Sequence, residues 1–460
     1  MLRRRRCSHI PRTRNSDLSM RLALLLAGAA GAALLCPATA RSQQLIAVHA
    51  GRLIDVDRGE VARDRLILIR GDSIAAVEPW PAKPPAGAKV VDLSRATVAP
   101  GLIDCHTHLV DDIQSADVLA SLKRSGAQQV MIGVRQARAT LLAGFTTVRD
   151  VGTYRAFTDV ALRDAINDGT IIGPRMAVAG AYITVSTGGG EVTGMAPDIT
   201  LPAEFRMGVA NSADEIREKV RILIHGGADL IKVIATGAVL TSGTNPGAPE
   251  FTEAEIHAAV DEAAKYGVFV AAHAHGAEGI KAAVTAGVRS IEHGSLIDDE
   301  GIRLMKEKGT YLVADIYNGD YIATVGKQQG WSAEILRKND ETTEAQRQGF
   351  KKAVAAGVKI AFGTDAGVYP HGDNARQLPY MVRWGMTPMQ AVQSATIVAA
   401  RLIGWDSRVG SVALGKYADL VAVDGDPLAN LESFTKVTFV MKNGVIYKMA
   451  GQPVGRAVPE

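Results

Sequence analysis

Cysteine is scarce in this chain of 460 residues: three occur, Cys7, Cys36 and Cys105. Two of them fall in a leader described below, so the remaining chain cannot form an internal disulfide and must rely on packing, which its length can supply. Long apolar runs are also missing. The stretch of residues 22–35 is too short for a comfortable membrane span. A Gly-x-Ser-x-Gly elbow is absent, which removes the common serine nucleophile. Charge of one sign is not in excess either, with 51 Lys and Arg against 48 Asp and Glu.

The small positive balance belongs to the first 40 residues. Arg3 to Arg6, Arg12, Arg14 and Arg21 precede the apolar run, and Ala38-Thr39-Ala40 provides a small-residue cleavage site, the pattern of a signal peptide. Met20 would serve as an alternative start to Met1. Cys36 would suit a lipid anchor, but bulky Leu35 before it argues against one, so the expectation is an exported, soluble protein. Removing residues 1–40 takes away seven Arg and one Asp. The formal charge then changes from +3 to −3, leaving no nucleic-acid footprint and no polybasic membrane patch.

Short strand-like stretches open the mature chain at 45–49, 65–70 and 73–77 and return at 420–423, 437–442 and 445–448, the last pair around Asn443-Gly444, a hairpin turn. The middle alternates apolar strands with helical runs. Candidate strands lie at 101–105, 146–150, 175–179, 230–234, 268–272, 290–292, 310–314 and 359–363. Helix signals accompany them: Asn211-Ser212 caps a run from 213 to 226, and Thr252 with Glu255 makes a capping box for the next. Eight strands alternating with helices predict a (β/α)₈ barrel. The fold class is therefore α/β, a TIM barrel at 99–406 with a small β-sandwich built from 41–98 and 407–460. The stretch 180–211 lacks periodicity, contains Gly188-Gly189-Gly190, and is placed over the C-terminal face of the barrel, where long loops are usually functional.

Side chains suited to metal binding stand at the carboxyl ends of these strands. His106 and His108 are two residues apart in an extended chain and so face the same side. Alone, such a pair is as often coincidence as ligand. Lys232 interrupts the apolar run 230–234, where a free ammonium is costly. A lysine reaching out between helices is commoner, but at a strand end an amine that deprotonates easily can take up carbon dioxide as a carbamate. His273 and His275 follow the strand 268–272, with His273 the expected ligand and His275 left to substrate. His293 ends the next strand. Asp365 follows 359–363, where an aspartate is often only a helix cap, yet here it is placed to bind a cation and move a proton. His371, Tyr317 and Arg376 are further candidates for substrate contact.

The order Pro100-Gly101-Leu102-Ile103-Asp104-Cys105-His106-Thr107-His108, Lys232, His273-Ala274-His275-Gly276, Glu292-His293-Gly294 and Gly363-Thr364-Asp365 resembles the metal-dependent amidohydrolase superfamily. Gly415-Lys416-Tyr417-Ala418-Asp419-Leu420-Val421 resembles that superfamily's return to its β-sandwich. The likeness covers residues 45–450 and is strongest to the branch of imidazolonepropionase-like proteins, Xaa-Pro dipeptidases and ochratoxin-hydrolysing amidohydrolases. It implies two divalent metal ions, usually zinc, bridged by an N6-carboxylated Lys232, with His106, His108 and Asp365 on one ion and His273 and His293 on the other. Many relatives carry Gly-His-Gly after the third strand, where this chain has Gly188-Gly189-Gly190-Glu191. The resemblance implies cleavage of an amide in a dipeptide or N-acyl amino acid such as ochratoxin A, and a homo-oligomer. A cyclic-amide or imidazolone-type hydrolase and an inactive exported metal- or solute-binding protein are the alternatives.

Overall fold

The computed structural model describes residues 45–455 apart from 82, 114–116, 118 and 197. The expected signal peptide and the choice of start therefore lie outside the described residues. Among the described residues, no helix is long and apolar enough to cross a membrane.

Strands β1 (Leu45–Asp55), β2 (Glu60–Arg70), β3 (Ser73–Pro79) and β4 (Lys89–Pro100) come first in the chain. The barrel strands follow: β5 (Leu102–Thr107), β6 (Phe145–Asp150), β7 (Arg175–Val178), β8 (Tyr182–Ile183), β9 (Ile231–Ile234), β10 (Val270–Gly276), β11 (Ser290–Leu296) and β12 (Tyr311–Val313). Strands β13 (Leu420–Asp424), β14 (Phe439–Lys442), β15 (Val445–Met449) and β16 (Gln452–Pro453) complete the chain.

The two ends share one eight-stranded sheet, in the order β16-β15-β14-β13-β4-β1-β2-β3. Its two faces can be read along β13. Leu420 and Ala422 pack with Val48, Ile67 and Phe439, while the intervening Val421 and Val423 pack with Leu141, Phe145 and other barrel residues, as the period-2 alternation of a strand requires. Asn443 and Gly444 both adopt positive φ, 51° and 73°, giving the tight hairpin expected between β14 and β15.

The (β/α)₈ barrel closes through two parallel sheets, β5-β6-β7 and β8 to β12. Its eighth strand is the extended segment 359–366, which pairs with β12 through Leu312 and Ile360 and with β5 through Thr107 and Ala366. Strands β5, β6 and β9 are buried along their whole length, as parallel sheets covered on both faces require. Both predicted helix starts form: Ser212 Oγ accepts from Glu215 N, and Thr252 and Glu255 exchange both bonds of a capping box.

Two stretches differ from the sequence reading. Strand β10 runs to Gly276 rather than ending at Ala272, because pairing with β11 continues through Ala274 and Gly276. His273 and His275 thus lie inside one strand and share a face. The segment 180–211 is not without structure. Tyr182 and Ile183 extend the third barrel strand beside Lys232 and Val233, and a 3₁₀ turn covers Ala203–Phe205.

Candidate active site

The sequence-selected donors meet in one cavity at the C-terminal face of the barrel. His106 and His108 come from the end of β5, Lys232 from β9, His273 and His275 from β10, His293 from β11 and Asp365 from the end of the eighth strand; all line the cavity. Ring centroids of His106 and His293 are 4.8 Å apart, and those of His273 and His293 are 4.5 Å apart. Ligand atoms of His106, His108 and Asp365 lie within 4.8 Å of one another, as do those of His273, His275 and His293. A third group joins His293 and Asp365 with Asp315, an aspartate that follows β12.

Each histidine is held by its other nitrogen or its ring. His106 Nδ1 is 3.0 Å from Glu292 Oε2, His108 Nδ1 is 2.9 Å from the Gly152 carbonyl and 3.1 Å from Tyr182 Oη, and His293 Nδ1 is 3.0 Å from Asp315 Oδ1. His275 Nδ1 is 2.8 Å from Ser295 Oγ, and His273 Nε2 is 3.4 Å from the Gly237 carbonyl. Asp365 Oδ1 is 3.1 Å from His108 Nε2 and 3.4 Å from His106 Nε2, and Oδ2 accepts from Asn318 Nδ2 at 3.0 Å. Histidines so fixed by carboxylates and carbonyls present one free lone pair each, the arrangement metal sites use to set ring orientation.

The electrostatics favour neutral imidazoles at His106, His273 and His275. Burial, with positive neighbours, pushes His106, His273 and His275 well below the usual histidine value. Burial also works against a charged His108, but the Asp365 carboxylate outweighs it and lifts that ring to about 9. Lys232 is pushed down to about 8 by burial, so its amine deprotonates far more readily than a surface lysine. Asp315 is held low by His293 despite its burial. Buried imidazoles and carboxylates converging from several strands fit divalent cations.

Two of these residues carry backbone strain. His293 has φ 69° and Asp365 φ 57°, the left-handed region that non-glycine residues seldom enter. Each costs on the order of 1–3 kcal/mol, and such strain persists where surrounding structure imposes it.

Support comes from residues the sequence reading did not assign. Arg149, fully buried on β6, donates to both Glu292 carboxylate oxygens at 2.7 and 2.8 Å, to Ser290 Oγ at 2.9 Å and to the Cys105 carbonyl at 2.5 Å. It ties β5, β6 and β11 together beneath His106. Gln346 donates to Asp315 Oδ1 at 2.9 Å. Arg149 and Glu292 each stand as a charge inside a strand-like stretch, and local sequence carries no signal of their pairing. Asp315 sits one residue past an apolar run, much as Asp365 does.

His371, Tyr317 and Arg376 do not line the cavity. His371 is buried, with Nδ1 3.1 Å from Thr140 Oγ1 and Nε2 3.2 Å from the His108 carbonyl. Tyr317 packs edge-on between Tyr369 and Tyr380, and Arg376 pairs with Asp373 at 3.1 Å. Cys105 points away from the cavity into an apolar cluster with Val313 and Ala361.

Residues 97–447 match the model of the amidohydrolase family. An ochratoxinase from Aspergillus niger is 34% identical over 428 residues, covering 88% of this chain and 87% of that protein. A solved Xaa-Pro dipeptidase with methionine bound in its active site superposes with a TM-score of 0.84 at 40% identity, covering 88% of this chain and all of that one. A prolidase complexed with N-methylphosphonate-L-proline superposes with a TM-score of 0.82 at 30% identity, over 88% of this chain and all of its own. The chain belongs to the amidohydrolase family and is a hydrolase of amide bonds.

Proposed function

We propose that the enzyme hydrolyses the amide of a dipeptide or an N-acyl amino acid, ochratoxin A among them, and releases the C-terminal amino acid. The observation that carries this reading is the convergence of His106, His108, His273, His293 and Asp365 with the buried Lys232 in one cavity. His106, His108 and Asp365 would hold one divalent cation and His273 and His293 the other, with zinc the best match to imidazole and carboxylate donors. His275 and Asp315 stand within reach of the second group and the shared edge respectively. Lys232, pushed down to about 8, would be carboxylated and so supply the missing anion between the two groups. Two such cations, when bound, acidify a shared water and polarise the scissile carbonyl.

The remaining work belongs to the chain. Asp365, oriented by Asn318 and the imidazoles of His106 and His108, takes the proton of the attacking water and hands it to the departing nitrogen. Asn318, Gln346, Thr343, Ser295 and His275 add polar lining to the same cavity. Similarity to the dipeptidase, the prolidase and the ochratoxinase supports an amino-acid leaving group. Residues 1–40 support export, and the branch resembled supports a homo-oligomer.

A panel of dipeptides assayed beside ochratoxin A, with free amino acids quantified by mass spectrometry, tests the reading. Release from at least one member is expected; release from none would sink it.

A further inference from the structure

Asp315 and Asp365 serve different halves of the donor cluster. Asp315 Oδ1 stands 3.0 Å from His293 Nδ1, whereas Asp365 Oδ1 stands 3.1 Å from Nε2 of His108 and 3.4 Å from that of His106. One side chain reaches both carboxylates. Asn318 Nδ2 donates to Asp315 Oδ2 at 3.1 Å and to Asp365 Oδ2 at 3.0 Å, so each hydrogen of its amide is given to a different aspartate. The opposite amide orientation would set the carbonyl oxygen against two anions, which fixes the atom that faces them. Asn318 Oδ1 is itself buried and meets no partner among the described residues. The amide is therefore committed to the carboxylates alone.

All three residues are buried, and hydrogen bonds to charged groups are strongest where water is excluded. An unbroken chain of contacts runs from His293 through Asp315, Asn318 and Asp365 to His106 and His108.

The long helix Ala333–Ala356 holds this chain in place from one face, where residues 339, 343 and 346 line up by the 3.6-residue period. Asn339 Nδ2 donates to the Gly319 carbonyl at 3.0 Å, next to the bridging asparagine. Thr343 packs so closely on Gly319 that an added Cβ there would collide with its hydroxyl. Gln346 Nε2 donates to Asp315 Oδ1 at 2.9 Å and to the His293 carbonyl at 3.2 Å. Neither aspartate can turn without disturbing Asn318.

We infer that Asn318 is a positioning residue that couples the two cation sites, so that filling either one orients the donors of the other. A cation held by His106, His108 and Asp365 fixes the Asp365 carboxylate, and through Asn318 it fixes Asp315 and the ring of His293. The same path runs in reverse, as coupling between two sites must. The inference rests on the two-cation reading proposed above, and its test tells the two apart.

Metal-stripped protein is titrated with zinc alone against a fluorescent zinc chelator of known affinity, and the metal bound at saturation is counted by plasma mass spectrometry. Wild type should take up two zinc ions per chain, the second less than about fourfold weaker than the first, the statistical margin of equal and independent sites. Asn318→Leu keeps the approximate shape of the side chain and removes both hydrogens. It should raise the ratio of the second to the first dissociation constant by about fivefold or more. A merely structural loss would weaken both steps alike and leave that ratio unmoved. Asn318→Ala gives the same reading should the leucine variant fail to fold, which thermal melts of the stripped proteins reveal. Two ions in wild type with the second about fourfold weaker or more, or an unchanged ratio in the folded variant, would overturn the coupling and leave the two-cation reading standing. A single ion per wild-type chain would overturn both.

Discussion

His293 and Asp365 show how far the site is imposed on individual residues. Both hold left-handed backbone at the cavity, where the surrounding structure imposes it. Asparagine tolerates that conformation better than most residues. Asp365→Asn should therefore fold with a Tm within a few degrees of wild type while losing activity by about 10²- to 10⁴-fold, the span of a general acid-base group. Lys232→Ala should lose both metal, counted by plasma mass spectrometry, and activity; retention of both would remove the carbamate bridge. Glu292→Gln leaves the buried Arg149 guanidinium without its carboxylate, and denaturant unfolding should show a loss of about 3–5 kcal/mol. These residues differ in how legible they were. The donors sit within or just beyond strand-like stretches, positions readable from local sequence. Arg149 and Glu292 act by pairing across β6 and β11, 143 residues apart, and nothing local announces that partnership. Tyr317 follows a strand as the donors do, but Tyr369 and Tyr380 take up its ring.

Among elements, the barrel strands were legible because parallel strands covered on both sides read as unbroken apolar runs. Their extents were less so, since β10 gains its last residues from pairing with β11 rather than from its own composition. The eighth strand illustrates a requirement that only packing reveals. A Cβ on Gly363 would meet Val313 Cγ1 at 2.2 Å and His106 Cβ at 2.9 Å, so glycine there lets the strand lie against β5 beside the donors. Gly363→Ala should cost about 1–3 kcal/mol by overpacking, measured by urea unfolding, and should displace His106 enough to lower metal content. The 180–211 segment resisted reading for the opposite reason. Its order comes from long-range contacts, such as Gly189 N with the Glu250 carboxylate at 2.9 Å, and no local periodicity encodes them.

Across the whole molecule, the alternation of strand and helix made the barrel readable, and the return of short strands at the end made the shared sheet readable. The order of that sheet was not, because β13 pairs with β4 across the intervening barrel, Leu420 with Pro100, and not through any turn. The donors bind β5, β9, β10, β11 and the eighth strand to one another, so cation binding should stabilise the folded state as a whole. Removal by a chelator should lower Tm reversibly, with about 2.7 kcal/mol restored when zinc is returned at a hundred times its Kd. The central claim is that this assembly uses water to break an amide and free an amino acid. The most direct test is a single turnover in H₂¹⁸O with the best substrate of the panel, products weighed by mass spectrometry. One ¹⁸O in the acyl product's carboxylate and none in the released amino acid is the predicted result; an unlabelled acyl product, or no free amino acid, would contradict it.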